Sequence, residues 1–193
     1  MGQEKKQNTY YHITVTAMKI ENLFSEECVK KQFLDSMGLV REQLSFEIYA
    51  YCLTNDEAYF LIQTPLNMRI TKVIEATKRC LKKVYVNETE IATEDFVLHY
   101  QKDSITSVSQ LVDAIAKVHM NGLKCAASIK NHWWSSYIEY TKGYQGITKT
   151  DSVLEELHSN HRRAVQQFAA EHKKAALLYT TFENEKCDGE MKK

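Results

Sequence analysis

LSFEIYAYCL at residues 44–53 and EAYFLIQT at residues 57–64 decide the fold. Both alternate with the period of two that marks a strand with two distinct faces. In the first, Phe46, Ile48, Ala50 and Cys52 share one face, and Glu47, Tyr49 and Tyr51 share the other. In the second, Ala58, Phe60 and Ile62 oppose Glu57, Tyr59, Leu61 and Gln63. Asn55-Asp56 between them is a turn signal, and so short a link predicts an antiparallel hairpin. Upstream, YYHITVTAM at 10–18 reads as a further strand, with Ile13, Val15 and Ala17 facing away from His12, Thr14 and Thr16. The predicted core face is Ile13, Val15, Phe46, Ile48, Phe60 and Ile62, because a one-residue slip of register would expose all of them together.

Helical patterns lie between and after these strands. Ser25 with Glu26 and Glu27 predicts a helix start, since acids suit the positive end of the helix dipole. Val29, Phe33, Leu34 and Met37 form its stripe over 25–37, and Gly38 is the expected stop. From Leu66 to Tyr85 the period lengthens to that of a helix, with Leu66, Ile70, Val73, Ile74, Leu81 and Val84 on one stripe. DFVLHYQ at 95–101 is another strand. Ser107 opens a helix that buries Val108, Leu111, Val112, Ile115 and His119 and ends at Asn121-Gly122. HWWSSYIEY at 132–140 is a compact aromatic segment, and 151–178 is mostly helical.

The expected architecture is α+β: an antiparallel sheet with helices packed on one face, plus a C-terminal helical extension. The domain is placed at 10–145 and the extension at 146–182, between a disordered N-terminus at 1–9 and a frayed, charged tail at 183–193. The second sheet face, carrying Tyr49, Tyr51, Glu57 and Tyr59, reads as polar and aromatic rather than buried.

Composition narrows the partners. Lys and Arg number 25 and balance 25 Asp and Glu, so any nucleic-acid surface must be a local patch. No apolar run approaches the ~18–20 residues that span a bilayer, and the first residues lack the apolar core of a signal peptide. The expectation is a protein without a membrane. Cysteines 28, 52, 80, 125 and 187 are odd in number, scattered and without a CxxC pair. They point to thiols in a reducing cytoplasm rather than to disulfides or a zinc ribbon.

Three features bear on chemistry. The helix at 66–85 carries Arg69, Lys72, Lys78, Arg79, Lys82 and Lys83 against the single acid Glu75. At ~100° per residue, Arg69, Lys72, Arg79 and Lys83 form one stripe. That suits tracking a phosphate backbone, and it equally suits a solvated face with snorkelling side chains. Tyr49, Tyr51 and Tyr59 are candidates for stacking bases, or for cross-strand packing under a covering element. His158 and His161 have a spacing that could place two imidazoles on one helix face, but without a third ligand they read as a solvated helix.

Taken in order, YHITVTA, FEIYAYCL, FLIQT, KVHMNGLKCA and WWSSYIEY resemble the HUH-type single-tyrosine transposases, in particular the group associated with repetitive extragenic palindromes. TDSVLEEL and HRRAVQQFAAEH resemble the C-terminal extension of longer members. The resemblance implies a protein that handles single-stranded or hairpin DNA. In the family, a His-hydrophobic-His pair holds a magnesium or manganese ion that polarises the scissile phosphate. A tyrosine on the late helix attacks it and forms a phosphotyrosine link.

Here Glu57-Ala58-Tyr59 stands at the histidine pair, and Lys117 stands at the nucleophile. The asparagine of the nucleophile motif is kept as Asn121, and its proline has become Gly122. A lysine cannot form a phosphotyrosine. The resemblance therefore implies a transposase-like DNA-binding protein with a degenerate catalytic site, no metal cofactor, and DNA contacts from the basic stripe and from Tyr49 and Tyr51. Tyr85 and Tyr100 are the nearest substitute tyrosines, and His12 and His99 the nearest imidazoles; none stands in the required place. Two other readings compete: an interaction module or decaying pseudo-transposase without a nucleic-acid role, and a metal-dependent single-strand nuclease with altered ligands. Family relatives pair through their sheets, which leaves a homodimer open. Convergence of Glu57, Tyr59, Lys117 and Asn121 around one cleft is the geometric test of this reading.

Overall fold

The strands read from alternation are neighbours in space. A computed structural model describes residues 9–18, 20–85 and 92–190, with 182–190 given as backbone alone. Residues 1–8 and 191–193, where disorder and fraying were expected, lie outside that description. β1 (Thr9–Ala17), β2 (Glu47–Leu53), β3 (Ala58–Thr64) and β4 (Phe96–Asp103) form one antiparallel sheet in the order β2-β3-β1-β4. α1 (Glu27–Leu44) and α2 (Ile70–Val84) cover one face. α3 (Val108–Met120), α4 (Tyr137–Lys142), α5 (Asp151–Leu157) and α6 (His161–Glu190) follow β4.

The first core is the predicted one. Ile13, Val15, Phe46, Ile48, Phe60 and Ile62 are all buried in it, against Phe33, Met37 and Val40 of α1 and Val73, Ile74 and Leu81 of α2. The alternation reads correctly there because these residues are apolar on a face that two amphipathic helices close.

The second face departs from expectation. It is not left polar over the β2–β3 half: a second core joins Tyr49, Ala50, Cys52 and Leu61 to Leu111, Ile115 and Val118 of α3 and to Phe168 of α6. Tyr49 and Tyr51 are only 6% and 7% exposed, so they are not the expected base-stacking surface. They do not share a face either. The β2–β3 register shifts between Ile48 and Ala50, leaving Tyr49 as an extra, bulged residue. Past the bulge every side chain changes sides. Tyr51 enters the first core and Cys52 the second.

Other boundaries move for local reasons. α1 begins at Glu27 rather than Ser25 and runs through Gly38 to Leu44. A Cβ at Gly38 would lie 3.1 Å from Ile147 Cγ2, so this glycine admits a close neighbour within the helix rather than ending it. The stop is Ser45, at a left-handed φ of 54°, whose N–H bonds the carbonyls of Arg41 and Glu42. α2 begins only at Ile70, because Pro65 opens a turn closed by the Met68 N–H, and Leu66 is exposed. Ser107 does cap α3, accepting from the Gln110 N–H. His158 ends α5 and His161 begins α6, so the two imidazoles do not share a helix face. Among the described residues, no helix is long and apolar enough to cross a membrane.

Candidate nucleic-acid interface

α3 packs over the β2–β3 half of the second face and leaves a cleft along β1 and β4. The side chains that enter it follow from strand pairing. His12 lies opposite Gln101 and Tyr10 opposite Asp103, so His12, Gln101 and Asp103 point to one side. Tyr59 joins them from β3, and Lys117, Val118 and Asn121 from the end of α3. The cleft has a volume of about 280 Å³.

Three of the four residues named for the geometric test line it: Tyr59, Lys117 and Asn121. The fourth, Glu57, accepts a hydrogen bond from the Tyr59 hydroxyl and so stands at its mouth. Asn121 turns its amide back on α3, donating to the carbonyls of Lys117 and Val118 at 3.2 Å each. It acts as the helix's own C-terminal cap. Lys117 makes no side-chain hydrogen bond or ion pair among the described residues. His12 Nε2 lies 3.2 Å from Asp103 Oδ2. Burial lowers the His12 pKa; Asp103 opposes that shift, and the nearby Lys117 cation adds to it.

Two further residues escape a reading of the sequence. One is Asp103, the last residue of β4, which partners His12. The other is Lys124, in the 3₁₀ turn Asn121–Lys124 that continues α3. Its Nζ donates to Glu57 Oε2 at 3.2 Å and to the Tyr59 hydroxyl oxygen at 2.5 Å. The same ammonium lies 4.9 Å from the Tyr59 ring centroid. Partial burial pulls the Lys124 pKa down, but its hydrogen bonds to Tyr59 and Glu57 and the Glu57 charge outweigh it and leave it raised. Burial, then the bond to Glu57, pushes the Tyr59 phenol up to about 12. A signal for Lys124 was within reach only in three dimensions, because a turn rather than a helical period sets its direction.

This donor set does not fit a divalent cation. Its two carboxylates are each already paired, Glu57 with Lys124 and Asp103 with His12. Tyr59 is held as a neutral phenol, a poor ligand. Among the described residues no three His, Cys, Asp or Glu side chains gather as a metal site. Tyr85 and Tyr100 stand outside the lining of the cleft: the Tyr85 hydroxyl donates to the Leu23 carbonyl beside the first core, and Tyr100 lies exposed on edge strand β4. His99 is exposed and outside the lining of the cleft.

The basic stripe is real but lies elsewhere. Arg69, Lys72, Arg79 and Lys83 are exposed on α2 or at its start, and Lys78 and Lys82 are half-buried. α2 covers the first face and the cleft opens on the second, so the sheet separates them.

Comparison with known proteins adds three findings. The family model described as "Transposase IS200 like" matches residues 5–103, just over half of the chain. No curated protein matches. Among solved structures, a REP-associated tyrosine transposase bound to a REP hairpin aligns with a TM-score of 0.53 at 13% identity, covering 76% of this chain and 90% of that one. A candidate transposase of Deinococcus radiodurans aligns at 14% identity, covering 61% of this chain and 96% of that one, with a TM-score of 0.42. The first of these likenesses shows a shared fold.

Proposed function

The chain belongs to the IS200-like transposase family, and from that premise we propose that it binds single-stranded or hairpin DNA without cutting it. The observation that carries this reading is the cleft itself. Side chains from β1, β3, β4 and α3 converge there, as the family reading requires, but lysines stand where the chemistry would be. Lys117 occupies the nucleophile position, and an amine there offers a phosphate a cation rather than a phenolic attacker. Lys124 adds a second cation at the cleft mouth. Cations held in a cleft favour a phosphate backbone. The hairpin carried by the REP-associated relative supports DNA as the partner.

No metal cofactor is needed in this reading, since the donors at Glu57 and Tyr59 are committed to each other and to Lys124. Arg69, Lys72, Lys78, Arg79, Lys82 and Lys83 serve as a second phosphate-tracking surface on the far side of the sheet. Cys28, Cys52, Cys80 and Cys125 are free thiols, which supports a reducing cytoplasm as the location.

Gel-shift titration with a hairpin, its single-stranded counterpart and a blunt duplex tests the proposal. The hairpin or single strand should be retarded at low salt, and Lys117→Ala should weaken that binding. Failure to retard any of the three at low salt would favour an interaction module with no nucleic-acid role.

A further inference from the structure

What the residues at the family's metal position hold is an ammonium. Lys124 Nζ lies 3.2 Å from Glu57 Oε2 and 2.5 Å from the Tyr59 hydroxyl oxygen. The resemblance places the two metal-binding side chains at these same two residues. The point that both can reach is filled by the tip of a lysine from the turn after α3. We infer that Lys124 is a built-in substitute for the metal ion: its ammonium, with that of Lys117, anchors one phosphodiester of the DNA strand in the cleft without any divalent cation. The inference rests on the DNA-binding reading above and names the group that holds the strand.

The chemistry of the ammonium fits this role. It is a compact point charge with three donors. Glu57 and Tyr59 take two of them and fix its place, much as two histidines fix a metal. The third donor is left for a phosphate oxygen. Lys124 is 44% exposed along its side chain, so a strand can reach it. Glu57 offsets part of its charge, which is why the second cation matters. Lys117 lines the cleft together with Tyr59, the residue that holds Lys124, and spends no donor on another described side chain.

The same comparison says why such a site would hold DNA without cutting it. A divalent ion carries two charges and acts as a Lewis acid, drawing electron density from the phosphate and stabilising the charge that develops. A lysine already paired with a glutamate supplies one hydrogen bond and a partly offset single charge. That is enough for position and too little for activation. The neutral phenol of Tyr59, donating to Glu57, is engaged in holding Lys124.

Fluorescence anisotropy of the full chain with a labelled single-stranded oligonucleotide tests this, in EDTA and in millimolar manganese chloride. The wild-type chain should bind no more tightly with manganese than with EDTA. Lys124→Met should lose about tenfold in affinity, the worth of one charge-assisted hydrogen bond. Its log–log salt slope should flatten by ~0.7. Lys124→Arg should keep most of the binding, and Lys31→Met, on the exposed face of α1, sets the loss due to net charge alone. Matching thermal melts of Lys124→Met and wild type separate lost contact from lost fold. Manganese tightening the wild type by about tenfold, or Lys124→Met binding no worse than Lys31→Met, overturns the inference and leaves the DNA-binding reading standing. A wild-type chain that binds no oligonucleotide removes both.

Discussion

A buried hydrogen-bond chain ties the cleft helix to the C-terminal extension through single atoms. His119 Nδ1 meets His172 Nε2 at 2.9 Å, and His119 Nε2 meets the Ser136 hydroxyl at 2.7 Å. His172 Nδ1 donates to the Phe168 carbonyl, which leaves its Nε2 as acceptor for a proton on His119 Nδ1. Every partner is satisfied when both rings are neutral. Burial, and then the neighbouring imidazoles His172 and His132, hold the His119 pKa well below its ordinary value. Burial brings His172 down to about 4, against the pull of the Phe168 carbonyl and Glu171. Unfolded, both would titrate near pH ~6.5. Below that pH the unfolded chain takes up protons that the folded chain refuses. Stability should therefore be full above about pH 6.5 and fall as pH drops toward about 4, by up to roughly 3 kcal/mol for His172 alone. Urea unfolding across that range should show the slope, and His172→Gln should make it shallower. A profile that is flat, or unchanged by the substitution, contradicts this account. Gly122 is a second single-residue dependence. A Cβ there would lie 2.9 Å from His132 Cδ2, in a ring whose Nε2 bonds the Leu53 carbonyl at 2.8 Å. Gly122→Ala should cost about 1–3 kcal/mol, read as a lower denaturant midpoint with an unchanged m-value. An unaltered midpoint would show that the ring moves aside freely.

At the scale of elements, α3 closes the β2–β3 half of the second sheet face, and α6 backs α3 and completes that core. Phe168 is fully buried and stacks on Tyr140 with ring centroids 4.3 Å apart. Phe168→Ala should cost about 3–5 kcal/mol and raise binding of a hydrophobic dye, because α6 would loosen from the second core. A loss below about 1 kcal/mol would mean that α6 is not held by this contact. The elements also show what a linear reading can reach. β1 and the start of β2 were legible because their first-face residues are apolar where the positions between them are polar, as with Ile13 beside His12 and Thr14. The bulge at Tyr49 was not legible: YAYC is apolar or aromatic at every position, so alternation gives no phase to lose. Gly38 misled for a related reason, since only the distant Ile147 explains it. The stripe on α2 was read correctly as a helix face, but which layer it joins is a tertiary fact. That placement makes its contribution separable. Arg79→Ala with Lys83→Ala should flatten the salt slope by about 1.4 if both touch phosphate, and the loss should add to that of Lys117→Ala because the sheet lies between them. A double variant with the wild-type slope would reduce the stripe to a solubilising face.

For the whole molecule, a formal net charge of zero means that no long-range field draws DNA in, and binding must come from local placement. On the function proposed above, the cleft provides it: two lysines from α3 and its trailing turn, beside strands that bring His12, Tyr59 and Asp103. Half of that site could be read in advance. Of the residues found by motif position, Tyr59, Lys117 and Asn121 line one cleft, and Glu57 is bonded to Tyr59. Lys124 and Asp103 escape such a reading, because one hangs on a turn and the other ends an edge strand. On the function proposed above, this family member holds DNA and leaves it intact. An end-labelled hairpin incubated with the chain in manganese, then split between a native and a denaturing gel, tests binding and cleavage in one reaction. A retarded band on the native gel and full-length, protein-free DNA on the denaturing gel are the expected result. Shortened DNA or a covalent protein–DNA band on the denaturing gel would contradict it.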